Sequence, residues 1–331
     1  MIMSLLHPKA DTAANPRYHR PMTEADFLTA LRTLPLHPGA QGLSDDVARL
    51  GNSVFTTDTM VEGVHFLSTD PAYDVAWKLL AVNLSDLAAK GADPVGVLLN
   101  YPLGKDAWDR DFLAGFDAAL RQMGCQLLGG DTVSLPLGAP RVLTLTAIGH
   151  ATHAPSRSGA RVGDGLFVTG TIGDGGAGLT IAKRLAGDPA GLAIAQGAPG
   201  PDALLNAYRR PLPRLGEGRI LAAHVHAMMD VSDGLLIDAA RMATASGLAL
   251  TIDLAAMPLS DAYRSHAGDD RTARLAAATA GDDYQLLFAA TATLAVPARR
   301  VGAFSTGSGL TLVDGGDPVP LPVRLGYLHG V

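Results

Sequence analysis

Residues 55–66 combine a strand-like run with oxygen-bearing side chains and a histidine, in the order FTTDTMVEGVHF. Thr56 and Thr57 favour a strand, and Asp58, a residue type depleted from strand interiors, predicts the end of that strand. Because Mg²⁺ takes oxygen ligands, these three side chains are candidate metal ligands. His65 is a candidate contact for an anionic group of a substrate. The alternative is a strand that leads into an aspartate turn beside a packed histidine.

Four further aspartates lie in segments that are otherwise apolar or rich in glycine. Asp46 precedes a predicted hairpin, and Asp86 lies among apolar neighbours in a predicted helix, NLSDLAAKGADP. A buried carboxylate needs a cation or hydrogen-bond donors, so Asp86 predicts such a partner. Asp131, which follows two glycines, and Asp230 are each predicted to end a strand.

Ordinary structural explanations also exist for Asp86, Asp131 and the later Asp233, whereas Asp230 is harder to explain in that way. Asp86 could face solvent on the polar side of its helix, and Asp131 could belong to a glycine turn. Ser232 and Asp233 stand where the N-cap of the next helix is predicted. If the carboxylates instead share one pocket, they repel one another unless cations neutralise them. The pattern therefore predicts several Mg²⁺ ions with ATP phosphates as the bridging partner.

Composition restricts the classes of protein to be considered. The chain has 331 residues, 47% of them hydrophobic and 18% charged, which suits two globular domains. Its net charge of −6 argues against a nucleic-acid-binding protein with a basic surface. Cys125 is the single cysteine, which excludes an internal disulfide and favours a reducing cytoplasm. Because no apolar run approaches the ~18 residues of a membrane helix, we expect no membrane partner.

Helix and turn signals divide the chain into segments. Thr23, with Asp26 three positions later, predicts a capped helix start. A turn at Gly51-Asn52 predicts a hairpin, and Asp70 before Pro71 predicts the N-cap of the helix that carries Asp86. The predicted segments are a flexible tail (1–22), an N-terminal metal- and ATP-binding domain (23–150) and a C-terminal α/β domain (151–331).

A glycine-rich segment in the second half offers a competing function. Gly173, Gly175 and Gly178 follow a predicted strand with the spacing of a dinucleotide-binding fingerprint. That motif also requires an acidic residue at the end of a second strand about twenty residues on. The chain instead has a loop containing Asp188 and Asp202. We therefore favour a glycine turn that packs a helix on a sheet.

Five segments in order resemble those of thiamine-monophosphate kinases. They are TTDTMVEGVHF, NLSDLAAKGADP, LGGDT, VSDGL and GDDYQLLF. The resemblance runs from about Asp45 to Tyr327 and extends to the superfamily of aminoimidazole ribonucleotide synthetase and selenophosphate synthetase. It implies an α/β (α+β) fold with two domains. The N-terminal domain would have a mixed sheet, bind ATP and form a homodimer, and the C-terminal domain would be α/β.

The resemblance also implies roles for individual residues. The implied Mg²⁺ ligands are Asp46, Thr56, Thr57, Asp58, Asp86, Asp131, Asp230 and Asp233. The implied contacts to ATP are Gly130, Asp131, Arg157 and Ser232. The implied contacts to thiamine monophosphate are His65, Asp282 and Tyr327. The family usually has glutamate where this chain has Asp282, so a shorter side chain stands at that contact.

The implied reaction is ATP-dependent phosphorylation of thiamine monophosphate to thiamine diphosphate, by direct in-line transfer assisted by several Mg²⁺ ions. The acceptor phosphate has a second pKa of about 6 and is largely anionic at neutral pH. No side-chain base or nucleophile is then required, so Cys125 is expected in the core. The alternatives are another ATP-dependent synthetase of the superfamily, or a maturation protein that binds metal and nucleotide without turnover.

Overall fold

The computed structural model describes residues 23–104, 106–187, 199–292 and 294–328. The predicted flexible tail, residues 1–22, and Asp188 lie outside the described residues. The first helix, α1 (Glu24–Leu31), has the predicted capping box, because Thr23 and Asp26 exchange hydrogen bonds. Residues 37–328 form a compact unit that does not include α1.

A five-stranded mixed sheet forms the first half of this unit, in the order β1-β2-β5-β3-β4. Strands β3 and β4 run parallel, and the other neighbouring pairs are antiparallel. Helices α2 and α3 pack against each other, and α2 also packs on β2 and β5. The elements are β1 (Ala48–Leu50), β2 (Ser53–Val61), α2 (Ala72–Ala89), β3 (Asp93–Leu103), α3 (Asp106–Met123), β4 (Leu127–Ser134) and β5 (Val142–His150).

A seven-stranded mixed sheet forms the second half, in the order β12-β11-β8-β10-β6-β9-β7. Its strands are β6 (Gly165–Thr169), β7 (Ala227–Asp230), β8 (Ala249–Asp253), β9 (Leu286–Ala290), β10 (Ala298–Ser305), β11 (Gly309–Asp314) and β12 (Asp317–Val319). Its helices are α4 (Asp174–Gly187), α5 (Pro199–Arg209), α6 (Leu215–Leu221), α7 (Leu235–Ser246), α8 (Asp261–Ala267) and α9 (Arg271–Ala280). The two mixed sheets with flanking helices confirm the predicted α/β fold class.

Helix α2 joins the two halves and positions much of the candidate site. It is buried on nearly all sides, as expected for a helix whose residues are mostly apolar all round. One side contacts β2 and β5 of the first sheet, and the other contacts β7 and α6 of the second half. Among the described residues, no helix is both long and apolar enough to cross a membrane.

Two strands extend past the aspartates that were predicted to end them. Asp58 lies inside β2, paired with Leu145, and Asp131 lies inside β4, paired with Asn100. The predictions of a strand end at Asp58 and at Asp131 are therefore wrong. Hydrogen bonding to the neighbouring strands outweighs the weak intrinsic preference of aspartate against strands. The end of β7 at Asp230 is as predicted.

Two predicted helix caps differ in the structure. Pro71, not Asp70, is the N-cap of α2, and the Asp70 carboxylate accepts a hydrogen bond from the Leu67 backbone. Gly234 is the N-cap of α7. The Asp238 carboxylate, from the first turn of α7, accepts the free backbone N–H groups at this helix start. The side chains of Ser232 and Asp233 therefore do not cap α7, although their sequence position predicted it.

The glycine-rich segment forms the predicted turn between β6 and α4. The backbone N–H groups of Gly173 and Gly175 donate to the carboxylate of Asp283. A Cβ atom at Gly178 would lie 2.0 Å from the carbonyl oxygen of Leu204, so the glycine permits close packing of α4. The glycines thus serve the internal packing of the second half.

Candidate active site

The first part of the site lies between β2 and α2. The Thr56 hydroxyl donates to Asp86 Oδ2 over 2.5 Å. The backbone N–H of Asp58 donates to the Asn83 side chain over 3.0 Å. Successive side chains along a strand point to opposite faces of the sheet. Thr56 and Asp58 are two positions apart, so both face α2. The strand and the helix together bring the carboxylates of Asp58 and Asp86 to one place.

The end of β7 adds a third carboxylate from the second half of the chain. Asp230 is buried, and its Oδ2 accepts a hydrogen bond of 2.5 Å from the hydroxyl of Ser85 on α2. Ser85 and Asp86 are adjacent, so one turn of α2 carries both the carboxylate of Asp86 and the hydroxyl that binds Asp230. Asp233 lies close enough to Asp58 that its charge raises the pKa of Asp58.

Burial and the charges of neighbouring aspartates raise the pKa values of three carboxylates in this cluster. Burial, followed by the charges of Asp46 and Asp233, raises the pKa of Asp58 to about 6. Burial and neighbouring charges, Asp46 first, raise the pKa of Asp230 to about 8. Burial and the charges of Asp58, Asp230 and Asp46 raise the pKa of Asp86 well above its ordinary value. The site is therefore poised to accept positive charge.

Asp46 belongs to the same cluster but is already paired with cations. Lys90 Nζ lies 3.1 Å from Asp46 Oδ2, and the Arg157 guanidinium donates to Asp46 Oδ1. Burial alone would raise the pKa of Asp46, but Lys90 and Arg157 outweigh it and lower that pKa. Arg157, predicted to contact ATP, thus lies at the edge of the carboxylate cluster.

Ser232 and Asp233 lie in the loop between β7 and α7. Asp233 Oδ2 accepts a hydrogen bond of 2.5 Å from Arg241, which also donates to Asp238. The Ser232 carbonyl accepts a hydrogen bond of 2.8 Å from the backbone N–H of Asp282. This loop therefore connects the carboxylate cluster to the segment that carries Asp282.

The predicted substrate contacts His65 and Asp282 are joined through one buried lysine. Lys78 Nζ lies 2.9 Å from Asp282 Oδ2 and donates to the His65 carbonyl over 3.4 Å. The hydroxyl of Tyr284 donates to Asp282 Oδ1 over 2.9 Å. The backbone N–H of Tyr327 donates to the Asp233 carbonyl over 2.9 Å, which brings the C-terminal segment to the same loop.

Thr57, Gly130 and Asp131 are not gathered with the carboxylate cluster. Thr57 faces away from α2, and its hydroxyl contacts Leu145 and Thr146 on β5. Gly130 and Asp131 lie on β4, the last strand of the sheet. Strands β2 and β4 are three strand spacings apart, or about 14 Å. Asp131 is exposed, and its own carboxylate accepts from the next backbone N–H.

Comparisons with known proteins identify the family. Residues 44–151 match the AIR synthase related protein N-terminal domain, and residues 161–315 match the C-terminal domain of the same family. The chain is 38% identical to the thiamine-monophosphate kinase of Caulobacter vibrioides, over 97% of this chain and 94% of that protein. The chain belongs to the thiamine-monophosphate kinase family. The family and the enzyme class expected from the sequence are confirmed.

Further members of the thiamine-monophosphate kinase family support the match. The enzyme of Escherichia coli K12 is 37% identical over 87% of this chain and 91% of its own length. A solved structure of AaThiL complexed with AMPPCP and TMP covers 93% of this chain and 97% of that chain, at a TM-score of 0.79 and 26% identity. The crystal structure from Stenotrophomonas maltophilia K279a has a TM-score of 0.71 at 37% identity, covering 89% of this chain and 96% of that chain.

The side chains fit a magnesium site of a thiamine-monophosphate kinase by their chemistry. The cluster offers carboxylate and hydroxyl oxygens, which Mg²⁺ prefers, and its members raise one another's pKa. Within the part of the chain that the structure describes, no three His, Cys, Asp or Glu side chains are arranged as a metal site. Hydroxyls and protein cations instead occupy oxygens of Asp46, Asp86 and Asp230. A bound ion would therefore either share these carboxylates with their present partners or displace those partners.

Several residues of the site were not among those predicted from the sequence. Lys78 and Lys90 are buried cations on or beside α2, and Asp238 is a buried carboxylate on α7. The available signal was the same one that identified Asp86, which is a charged residue among apolar neighbours. Asn83 and Ser85 carry a weaker signal, because polar uncharged residues are common on helices.

Proposed function

We propose that this chain transfers the terminal phosphate of ATP to the phosphate of thiamine monophosphate, which yields ADP and thiamine diphosphate. The observation that carries this proposal is the cluster of Asp58, Asp86 and Asp230, which β2, α2 and β7 bring together and whose pKa values are raised by burial and by the charges of neighbouring aspartates. Such a cluster suits cations that accompany two phosphate groups. Relatives that are named thiamine-monophosphate kinase supply the identity of the acceptor.

The main obstacle to this reaction is repulsion between two phosphate anions. Bound Mg²⁺ ions would supply positive charge to the transferring phosphoryl group. The proposed ligands nearest one another are Asp46, Thr56, Asp58, Asp86, Asp230 and Asp233. The guanidinium of Arg157 would hold the nucleotide, as would Ser232 at the loop after β7. His65, Asp282 and Tyr327 would hold the acceptor, with Lys78 and Tyr284 fixing the Asp282 carboxylate.

Thr57 and Asp131 remain proposed ligands of Mg²⁺, and Gly130 and Asp131 remain proposed contacts to ATP. They lie on β2 and β4, away from the carboxylate cluster. The strand register places Gly130 on the same face of the sheet as Asp58, whereas Thr57 and Asp131 lie on the face turned away from α2. Gly130 would allow its backbone to approach the nucleotide closely, and an ion held by Asp131 would lie on the face turned away from α2.

The proposed activity is tested by ADP release from ATP with and without thiamine monophosphate. We expect release to require both thiamine monophosphate and Mg²⁺, and to stop when EDTA removes the metal. Identification of thiamine diphosphate by mass spectrometry gives the product. ADP release that does not depend on thiamine monophosphate contradicts the proposal and favours another synthetase of the superfamily. Nucleotide binding without turnover favours a maturation protein.

We also infer that two copies of the chain associate through the outer face of the first sheet. This face is turned away from α2 and carries partly exposed apolar side chains. Leu98 is 39% exposed, Val133 48% and Val142 41%. Apolar residues grouped on one side of a sheet indicate a protein interface, and β4 offers a free strand edge beside them.

Charged substitutions on this face should separate the two copies. We expect Leu98→Asp and Val133→Asp to convert a dimer into a monomer, because each places a charge in an apolar contact. Light scattering after size-exclusion chromatography measures the mass. Leu113→Asp on α3, a residue that is 60% exposed, is the matched control and should leave the mass unchanged. A monomeric wild-type protein contradicts the inferred homodimer.

The predicted cellular location rests on the sequence. The single cysteine, Cys125, is buried and unpaired with another cysteine. A chain that forms no internal disulfide suits a reducing compartment. We therefore retain the cytoplasm as the proposed location of the reaction.

A further inference from the structure

Lys90 supplies a buried positive charge next to the carboxylate cluster. It is the residue after the last turn of α2, and its side chain is inaccessible to solvent. Its Nζ lies 2.6 Å from Asp45 Oδ1, 3.1 Å from Asp46 Oδ2 and 3.2 Å from the Met228 carbonyl oxygen. A lysine ammonium has three N–H donors, and these three acceptors match that number.

Lys90 shares Asp46 with a second cation. The Lys90 ammonium donates to Asp46 Oδ2 and the Arg157 guanidinium donates to Asp46 Oδ1, so both oxygens of this carboxylate bind protein cations. By contrast, Asp86 and Asp230 accept hydrogen bonds from the neutral hydroxyls of Thr56 and Ser85.

Lys90 also connects the two halves of the site. Asp45 and Asp46 precede β1 in the first half, whereas Met228 lies on β7, two residues before Asp230. A single ammonium group thus bonds to the segment that carries Asp46 and to the strand that carries Asp230. Without that charge, burying Asp45 and Asp46 so close together would be strongly unfavourable.

We propose that Lys90 is a resident cation of the carboxylate cluster, which holds Asp46 when no metal is bound and competes with Mg²⁺ for that carboxylate. This inference rests on the proposed magnesium site. Lys90 is then a positioning residue that sets the Mg²⁺ concentration at which the site is half occupied, which we call the Mg²⁺ midpoint. An ion that takes Asp46 as a ligand must displace Lys90 from Asp46 Oδ2 or share that carboxylate with it.

The test is Lys90→Gln, which removes the charge and keeps a hydrogen-bond donor. Mg²⁺ binding is followed without nucleotide, by titration calorimetry and by the unfolding temperature at increasing MgCl₂. We expect Lys90→Gln to unfold at a lower temperature in EDTA. We expect its Mg²⁺ midpoint to fall by at least ~10-fold, which is the size of one charge–charge interaction at these separations even when it is screened as in bulk water. A role in packing alone would lower stability and leave the midpoint unchanged.

Lys78→Gln is the matched control, because Lys78 is a buried lysine on α2 that pairs with Asp282 and not with Asp46. It should leave the Mg²⁺ midpoint at the wild-type value. Asp45→Asn is a second test with the opposite expected result. It removes the competing carboxylate, so Lys90 should bind Asp46 more strongly and the Mg²⁺ midpoint should rise. If Lys90→Gln is unfolded in EDTA, recovery of its circular dichroism on addition of MgCl₂ supports the inference.

The outcomes separate this inference from the proposed metal site. A wild-type protein that shows no Mg²⁺ response overturns both. A wild-type response with an unchanged or raised midpoint in Lys90→Gln overturns only the role of Lys90. Failure of MgCl₂ to restore an unfolded Lys90→Gln protein, together with an unshifted midpoint in Asp45→Asn, overturns it as well.

Discussion

Replacing Asp58 with asparagine should lower kcat by ~10³-fold while the protein remains folded, the upper range for loss of one preorganised charge-stabilising group. Asparagine has the shape of aspartate but no negative charge, so it would be a poor partner for Mg²⁺. The backbone bond from residue 58 to Asn83 is unaffected by the substitution. ADP release that depends on thiamine monophosphate measures the effect.

The same substitution should not destabilise the protein in EDTA. The pKa of Asp58 rises from 3.8 to about 6 in the folded chain, because of burial and the charges of Asp46 and Asp233. A raised carboxyl pKa means that the folded state binds the proton more tightly than the unfolded state does. Ionisation therefore removes stability as pH rises through this interval, and Asp58→Asn abolishes that loss.

Two measurements complete this test. Thermal unfolding in EDTA at pH 7 should give Asp58→Asn a transition at or above that of the wild type. Asp106→Asn, which alters an exposed ion pair with Arg110 on α3, is the matched control and should keep the wild-type kcat. Wild-type turnover by Asp58→Asn would remove Asp58 from the proposed site.

Gly130→Ala should destabilise the protein by ~3 kcal/mol, at the upper end of the range for overpacked positions. A Cβ atom at Gly130 would lie 1.8 Å from the Leu99 carbonyl oxygen on the neighbouring strand. The backbone φ of 153° at Gly130 is also one that residues with side chains rarely adopt. To relieve the contact, β4 must move away from β3, and Asp131 moves with it. We therefore expect a loss of ADP release as well.

The adjacent glycine provides a matched control for this steric effect. Gly129 has a similar φ of 157°, but the nearest atom to its added Cβ is Leu98 Cδ2 at 3.7 Å. Gly129→Ala has the same backbone strain but no close contact of its Cβ atom with a neighbouring strand. The Gly129→Ala protein should therefore be clearly more stable than the Gly130→Ala protein. Urea unfolding of both variants measures the difference. Equal stabilities would mean that backbone conformation, and not the approach of Leu99, decides the requirement for glycine.

Much of the site could be predicted because charged residues among apolar ones are informative. Asp86 in a helix and Asp230 after a short strand both need partners if they are buried, and both are found in the cluster with Asp58. The helix that carries Asp86 was also predictable from its apolar spacing. Local spacing specified these elements well, since helices and hairpins depend on residues that are close in sequence.

Other features depended on contacts between distant residues. Asp58 and Asp131 lie inside their strands because β5 and β3 hydrogen-bond to them, which no local pattern indicates. Asp131 was also predicted to join the cluster. Its distance from Asp58 follows from the strand order, which sequence spacing does not determine.

The sequence by itself determined the family, the α/β class and the set of carboxylates that could attract Mg²⁺. These follow from motif order and from the free-energy cost of burying unpaired charge. Only the tertiary structure decided that Lys90 and Arg157 already neutralise Asp46, whereas burial and the charges of neighbouring aspartates raise the pKa values of Asp58, Asp86 and Asp230. Electrostatic energy depends on distance in space and on burial, and both are set when β2, α2 and β7 pack together.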